Sequence, residues 1–221
     1  MSKLRKILKV LNLKTIYFNF KYLPFKSAIK LPFLISSNVY LKKTNGKIII
    51  EGPIFFGMIK IGLGDIGIFD ERVSRSIWNV SGKVNFKGTA NIGHGSKISV
   101  DENGCLELGN NFQITAETAI VSHCKIVFGN DCLLSWDILI MDTDFHKIVN
   151  DKGEIINESK PILIESNVWI GCRCTILKGS IIPKNAIIGA NSLITNSLEK
   201  QNALYVGNPI KCIKENINWE L

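Results

Sequence analysis

Apolar residues recur at every sixth position in the C-terminal third of the chain: Ile164, Ile170, Ile176, Ile182, Ile188 and Ile194. Four positions after the first five stand Val168, Cys174, Ser180, Ala186 and Ser192, all small or β-branched. A helix repeats near 3.6 residues and a strand at 2, so a strict six fits neither. It fits a β-helix, in which short strands turn at fixed intervals and stack coil on coil. Position i points inward onto position i of the next coil. Position i+4 sits near a corner, where a large side chain would collide with its neighbour. Three hexads make one triangular coil.

The phase runs backwards less cleanly. Phe86, Ile92 and Ile98 keep it, with Ala90 and Ser96 at the small positions. After a loop at Asp101–Gly104 it resumes at Leu108, Ile114 and Ile120, and after a slip at Phe128, Leu134 and Ile140. Gly93, Gly109, Gly129, Gly171 and Gly189 follow core positions, where glycine suits the turn between flat faces. Strand-like hexads begin near Lys47–Ile50, and the irregular stretch 52–79 reads as early, degenerate coils. The segment from about Asp142 to Pro161 is polar, contains Asp151-Lys152-Gly153 and breaks the repeat. It reads as an extruded loop, and loops on rigid scaffolds often carry function. After Ile194 the chain leaves the repeat. Val206–Pro209 reads as a turn, followed by a short helix to Trp219. The expected organisation is an N-terminal extension (1–46), a solenoid domain (47–200) and a C-terminal tail (201–221).

Charge changes the picture at one end. The chain of 221 residues has a formal net charge of +8, yet residues 1–50 hold eleven Lys or Arg and no acid. Leu4, Ile7, Leu8 and Leu11 fall at helical spacing among Lys3, Arg5, Lys6 and Lys9, which predicts an amphipathic helix over 2–13. An aromatic, basic stretch from Tyr17 to Lys26 follows. Two roles are open for this arm. It could cap one end of the solenoid core, as solenoids require, or contact an anionic membrane surface or lipid-linked substrate. Nucleic acid is not expected, because no helix-turn-helix, zinc or RNA-binding signature accompanies the charge. There is no apolar run of spanning length and no secretory signal pattern. Six scattered cysteines are expected to be reduced. A cytoplasmic protein is expected, peripheral at the inner face of the membrane if the arm binds lipid.

The three histidines are His94, His123 and His146. His146 closes Met141-Asp142-Thr143-Asp144-Phe145-His146 at the mouth of the extruded loop, two and four residues after a carboxylate. A carboxylate accepting from one ring nitrogen would leave the other free to take a proton, so His146 is expected to be a general base, with Asp144 or Asp142 as its orienter. His94 and His123 fall at polar positions expected to be solvated corners. The histidines are 29 and 23 residues apart, with no Cys or Glu cluster near, so no metal site is expected. Trp169 precedes Ile170-Gly171 and is a candidate wall for the substrate pocket. No nucleophile elbow, Walker loop or dinucleotide fingerprint occurs.

Asn167-Val168-Trp169-Ile170-Gly171, Thr175–Gly179, Ile187–Ser192 and Gly207–Lys211 together resemble the hexapeptide-repeat acyltransferases, a left-handed parallel β-helix family. The resemblance covers about residues 80–217. Thr143–His146, the polar loop, Val168-Trp169 and Lys214–Trp219 narrow it to the capsular polysaccharide and polysialic acid O-acetyltransferases. The fold class expected is therefore all-β. The resemblance implies a homotrimer with acetyl-CoA in the groove between subunits, and direct attack on the thioester by a sugar hydroxyl deprotonated by His146. Trp169, Trp136 and Phe145 would contact the acceptor. A backbone N–H near Gly171 would hold the oxyanion, and Gly171, Lys178, Gly189, Ala190, Asn191, Ser192, Pro209 and Lys211 would bind or flank the coenzyme. Ile210 departs from the alanine usual in that family. An amino-sugar acceptor, giving N-acetylation, and a non-catalytic glycan-binding scaffold are the alternatives.

Overall fold

The computed structural model describes residues 10–70 and 73–220. Short strands wind around a triangular prism, three to a coil, and every strand along the solenoid pairs in parallel with the same face of the next coil. Among the described residues, face 1 holds nine strands from Phe33–Ile35 to Lys211–Glu215. Face 2 holds seven, from Tyr40–Thr44 to Leu193–Ile194, and face 3 six, from Lys47–Ile50 to Ile181–Ile182. This is a parallel β-helix of triangular section.

The six-residue period is the register of this prism. Ile170 lies beside Ile188 on face 1, Ile176 beside Ile194 on face 2 and Ile164 beside Ile182 on face 3. All six ladder isoleucines are fully buried, as are Val168, Cys174, Ser180 and Ala186. Each buried isoleucine contributes about 1.5–3 kcal/mol relative to an exposed one, and like stacks on like along the core.

Two kinds of corner explain the polar positions. Between faces 3 and 1, Asn111, Asp131, Asn167, Asn185 and Asn202 all take φ between 55° and 60°. Asn and Asp tolerate this left-handed region better than other side chains. The glycines do something else. Gly109 and Gly171 do not have positive φ, but a Cβ on Gly109 would lie 2.1 Å from the Gly129 carbonyl oxygen, and one on Gly171 2.8 Å from the Ala190 nitrogen. Close stacking of coils, rather than turn geometry, selects glycine there.

The ends differ from expectation. The solenoid starts at Phe33 rather than 47, because Phe33–Ile35 and Tyr40–Thr44 already pair with Ile59–Leu63 and Ile77–Val80. The helix expected over 2–13 falls mostly outside the described residues. The aromatic stretch forms helix α1 (Leu13–Tyr22) and a short α2 (Phe25–Ala28). Asn12 caps α1, accepting from the Lys14 and Thr15 backbone. The C-terminal helix is absent: Lys211–Glu215 is a strand that folds back antiparallel on Ala203–Val206 through the turn at Gly207–Ile210. Burial of Tyr205 and the pairing it gives to an otherwise open sheet edge outweigh the local helical spacing.

Candidate active site

The repeat is broken where expected. A loop leaves face 2 after Leu139–Met141 and returns to face 3 at Ile162–Ile164, spanning 142–161. It is a small hairpin of its own, with a bridge between Val149 and Ile155 and a turn closed by Asn150, whose Oδ1 accepts from the Lys152 and Glu154 backbone. Its base and corner 2/3 enclose a cleft of about 310 Å³ lined by His146, His123, Thr143, Asp144, Phe145 and Asn157, among others.

Neither aspartate meets the His146 ring. Asp142 is fully buried and accepts from Ser122 Oγ at 3.0 Å, the His123 N–H at 2.7 Å and the Cys124 N–H at 3.0 Å. These three donors hold it against the corner of the previous coil, and none of its hydrogen bonds goes to His146, so it is placed as a structural carboxylate and not as an orienter. Asp144 accepts from Lys178 Nζ at 2.5 Å and from Asn157 Nδ2 at 2.8 Å. The Lys178 bond, then the Asn157 bond, hold its carboxyl below the ordinary range. Asn157 Nδ2 also donates to the His146 carbonyl at 2.8 Å, and Lys178 to the Asn157 carbonyl at 2.7 Å. Asp144, Asn157 and Lys178 thus position the backbone that carries His146. Lys178, expected to flank the coenzyme, is held in this loop clamp. The exposed His146 ring has no hydrogen-bond partner among the described residues.

His123 is at an exposed corner, as expected, but it also lines the same cleft, and its Nδ1 lies 3.0 Å from Asp101 Oδ2. A carboxylate on Nδ1 fixes one tautomer and leaves Nε2 open, the arrangement expected of a catalytic imidazole. The signal was present in the coil register, since Val100 pairs with Ser122 and so stacks Asp101 beneath His123. Asn157 gave no signal; a lone amide in a polar loop has no periodicity to mark it. His94, expected to be solvated, is buried beneath Phe69.

The remaining candidates collect elsewhere. Gly171, Gly189–Asn191 and Pro209 follow the face 1 strands in three successive layers at corner 1/2. The Gly171 N–H itself donates to the Ile188 carbonyl at 2.7 Å, so an oxyanion donor near it would be another backbone N–H. The Gly189 N–H is likewise taken, by the Tyr205 carbonyl. Asn191 turns the corner at φ 58°, and buried Ser192 donates to the Gly189 carbonyl and accepts from the Gly207 N–H. Ala190, Pro209 and Lys211 are exposed. Trp169 projects from face 1, 38% exposed, with Nε1 donating to Ser135 Oγ at 3.3 Å and its ring 6.1 Å from Trp219. Trp219 is fixed by its own Nε1 on the Asn167 carbonyl. Trp136 is half-buried past the end of its face 1 strand. Neither Trp169 nor Trp136 lines the histidine cleft, contrary to expectation, because corner 2/3 and face 1 lie on different sides of the prism. Phe145 does line it.

Comparison with known proteins finds likeness over part of the chain. The profile described as "Bacterial transferase hexapeptide (six repeats)" matches residues 161–196. A polysialic acid O-acetyltransferase of Neisseria meningitidis is 39% identical over 47% of this chain and 48% of its own length. Another, of Escherichia coli O1:K1, is 28% identical over 60% of this chain and 41% of its own. The chain therefore spans less than half the length of these two relatives. A solved structure of the polysialic acid O-acetyltransferase OatWY aligns over 86% of this chain and 90% of that one, at 26% identity and a TM-score of 0.49. The repeat matched over residues 161–196 and these partial likenesses show what the chain is similar to: acetyltransferases that carry the bacterial transferase hexapeptide.

Proposed function

We propose that this protein is an acetyl-CoA-dependent O-acetyltransferase acting on a sugar hydroxyl of a surface glycan or its precursor. The observation that carries the reading is the cleft at the loop base, where an exposed His146 imidazole stands on a backbone clamped by Asp144, Asn157 and Lys178. The acceptor hydroxyl donates to the His146 imidazole. As its oxygen bonds to the thioester carbonyl carbon, the proton passes to the ring. The C–S bond then breaks, and the imidazolium returns the proton to the departing thiolate, leaving an acetyl ester and a free thiol. The names of the relatives support the substrate class.

The separation of the two residue sets supports an assembly. The histidine cleft at corner 2/3 and the Trp169–Gly189–Pro209 edge at face 1 and corner 1/2 are complementary halves. In a homotrimer the first half of one copy faces the second half of the next, and the coenzyme lies between them. Phe145, Ile148, Val149 and Ile156 on the loop are exposed and available to reach the neighbouring copy.

Thiol release from acetyl-CoA across a panel of sugars and oligosaccharides tests the reading. His146→Ala is expected to lower kcat/KM by about 10²–10⁴-fold, the usual worth of a general base. Retention of most of the activity would reject His146. A second reading, in which His123 is the base, is favoured by the Asp101 contact, and His123→Asn and Asp101→Asn would then show the larger losses. Mild alkali separates O- from N-transfer, since an ester product is lost and an amide survives. If acetyl-CoA fails to raise thermal stability, the scaffold alternative returns.

A further inference from the structure

Helix α1 has two apolar faces, and only one of them is used by the fold. The inner face carries Thr15, Phe18, Asn19 and Tyr22. Phe18 is fully buried edge-on against Phe33 and Trp78. Thr15 Oγ1 accepts from the Ile35 N–H at 2.9 Å, Asn19 Oδ1 from the Phe33 N–H at 3.1 Å, and Asn12 Nδ2 donates to the Ile35 carbonyl at 2.7 Å. These side chains satisfy the free edge of the first face 1 strand and cover the end of the core. Capping is complete on this side of the helix.

Leu13, Ile16, Tyr17 and Phe20 form the opposite face at i, i+3, i+4 and i+7, and all are exposed, Leu13 by 84%. Phe25 and Ile29 continue the apolar strip, Phe25 being 70% exposed. Lys21, Lys26 and Lys30 are exposed beside it, as are Lys42 and Lys43 on the strand that Tyr17 touches through Thr44. No acidic residue occurs before Glu51. A soluble fold gains nothing from six large apolar side chains in water within a lysine border.

We propose that this outer face is a docking surface for an anionic lipid bilayer. The apolar strip enters the boundary between headgroups and acyl chains, and the lysines meet phosphate at the headgroup level. The absence of acidic residues through residue 50 is the charge complementarity that selects a negatively charged surface over a neutral one. No helix among the described residues is long and apolar enough to cross a membrane, so the mode is contact with the surface.

The test is flotation of the full chain with vesicles of phosphatidylcholine alone or with about 30% phosphatidylglycerol, at low and raised salt. Binding is expected to the anionic vesicles, at least about tenfold weaker to the neutral ones and weakened by salt. The double variant L13E/F20E is expected to lose binding at least about tenfold while keeping its circular dichroism and its thiol release on a soluble acceptor, because these positions touch neither core nor cleft. If that variant fails to fold, K21E/K26E/K30E carries the same test. Absence of vesicle binding by the intact chain overturns the proposal. So does an intact chain that binds no vesicles and whose oligomeric state changes in F20E, which would make a second copy of the chain the occupant.

Discussion

Lys178 Nζ lies 2.5 Å from Asp144 Oδ2, tying the coil that follows the extruded loop to the loop base that carries His146. The clamp is local, since both partners sit at corner 2/3, and it includes Asn157 as a bridge to the His146 carbonyl. Lys178→Met is expected to lower kcat/KM by about tenfold to a hundredfold through misplacement of His146, with little change in urea midpoint. A fall in stability with unchanged kinetics would refute the positioning role.

The same pair gives a pH dependence. The Asp144 carboxyl is held below its ordinary range in the folded protein, so its contribution to loop order is present above that range. It is lost as pH falls through the depressed folded value. Amide exchange across 142–161, corrected for its intrinsic pH dependence, is therefore expected to show constant protection from neutral pH down to about 4 and to lose it below. Asp144→Asn should reduce protection at every pH. A transition in the wild type near neutrality would contradict the clamp.

Asp142 is a structural carboxylate, and its variants should report as such. Asp142→Ala leaves the His123 and Cys124 N–H groups without their acceptor, while the Ser122 hydroxyl keeps the Cys105 carbonyl at 3.3 Å. Each buried donor left unpaired costs about 1–3 kcal/mol, so the variant should lose a large part of its stability in urea. Asp142→Asn, which keeps one carbonyl acceptor, is expected to lose less. Wild-type stability in Asp142→Ala would restore Asp142 as a candidate for chemistry.

Trp169 and Ile170 are adjacent, one turned out and one in, and should separate function from folding. Ile170→Ala is expected to cost about 2–5 kcal/mol, since Ile170 is fully buried between Leu134 and Ile188. Trp169→Ala should change the urea midpoint little and act on KM for the acceptor or the coenzyme. Equal destabilisation by both would mean that Trp169 serves packing with Trp219 alone.

Cys132 tests the dryness of the core. Burial pushes its thiol up to about 12, and Sγ lies 3.2 Å from the Glu165 carbonyl oxygen. At pH 8 a disulfide reagent is expected to leave Cys132 unmodified in the folded protein and to label it in denaturant. Rapid labelling without denaturant would show that this corner opens.

The period of six isoleucines determined the prism by itself. A stacked coil forces one residue type onto the same inward position at each turn, so the core writes itself into the sequence as spacing. The extruded loop was legible for the same reason, as a loss of spacing between Met141 and Ile162. His146 was found because it stands at that break. Its partners were not, because hydrogen bonds between coils join residues far apart in the chain: Asp101 with His123, Lys178 with Asp144, Asn157 with the His146 backbone. Proximity in sequence made Asp142 and Asp144 look like orienters, whereas the turn at corner 2/3 directs one into the previous coil and the other towards Lys178. Only the tertiary structure decided that Gly171 has no free N–H, that the tail is a hairpin and that Trp169 lies on a different side from His146. A repeating sequence fixes which residues point inward, since burial repeats with it. What meets across a corner depends on where each turn directs a side chain, and that is a property of the folded coil.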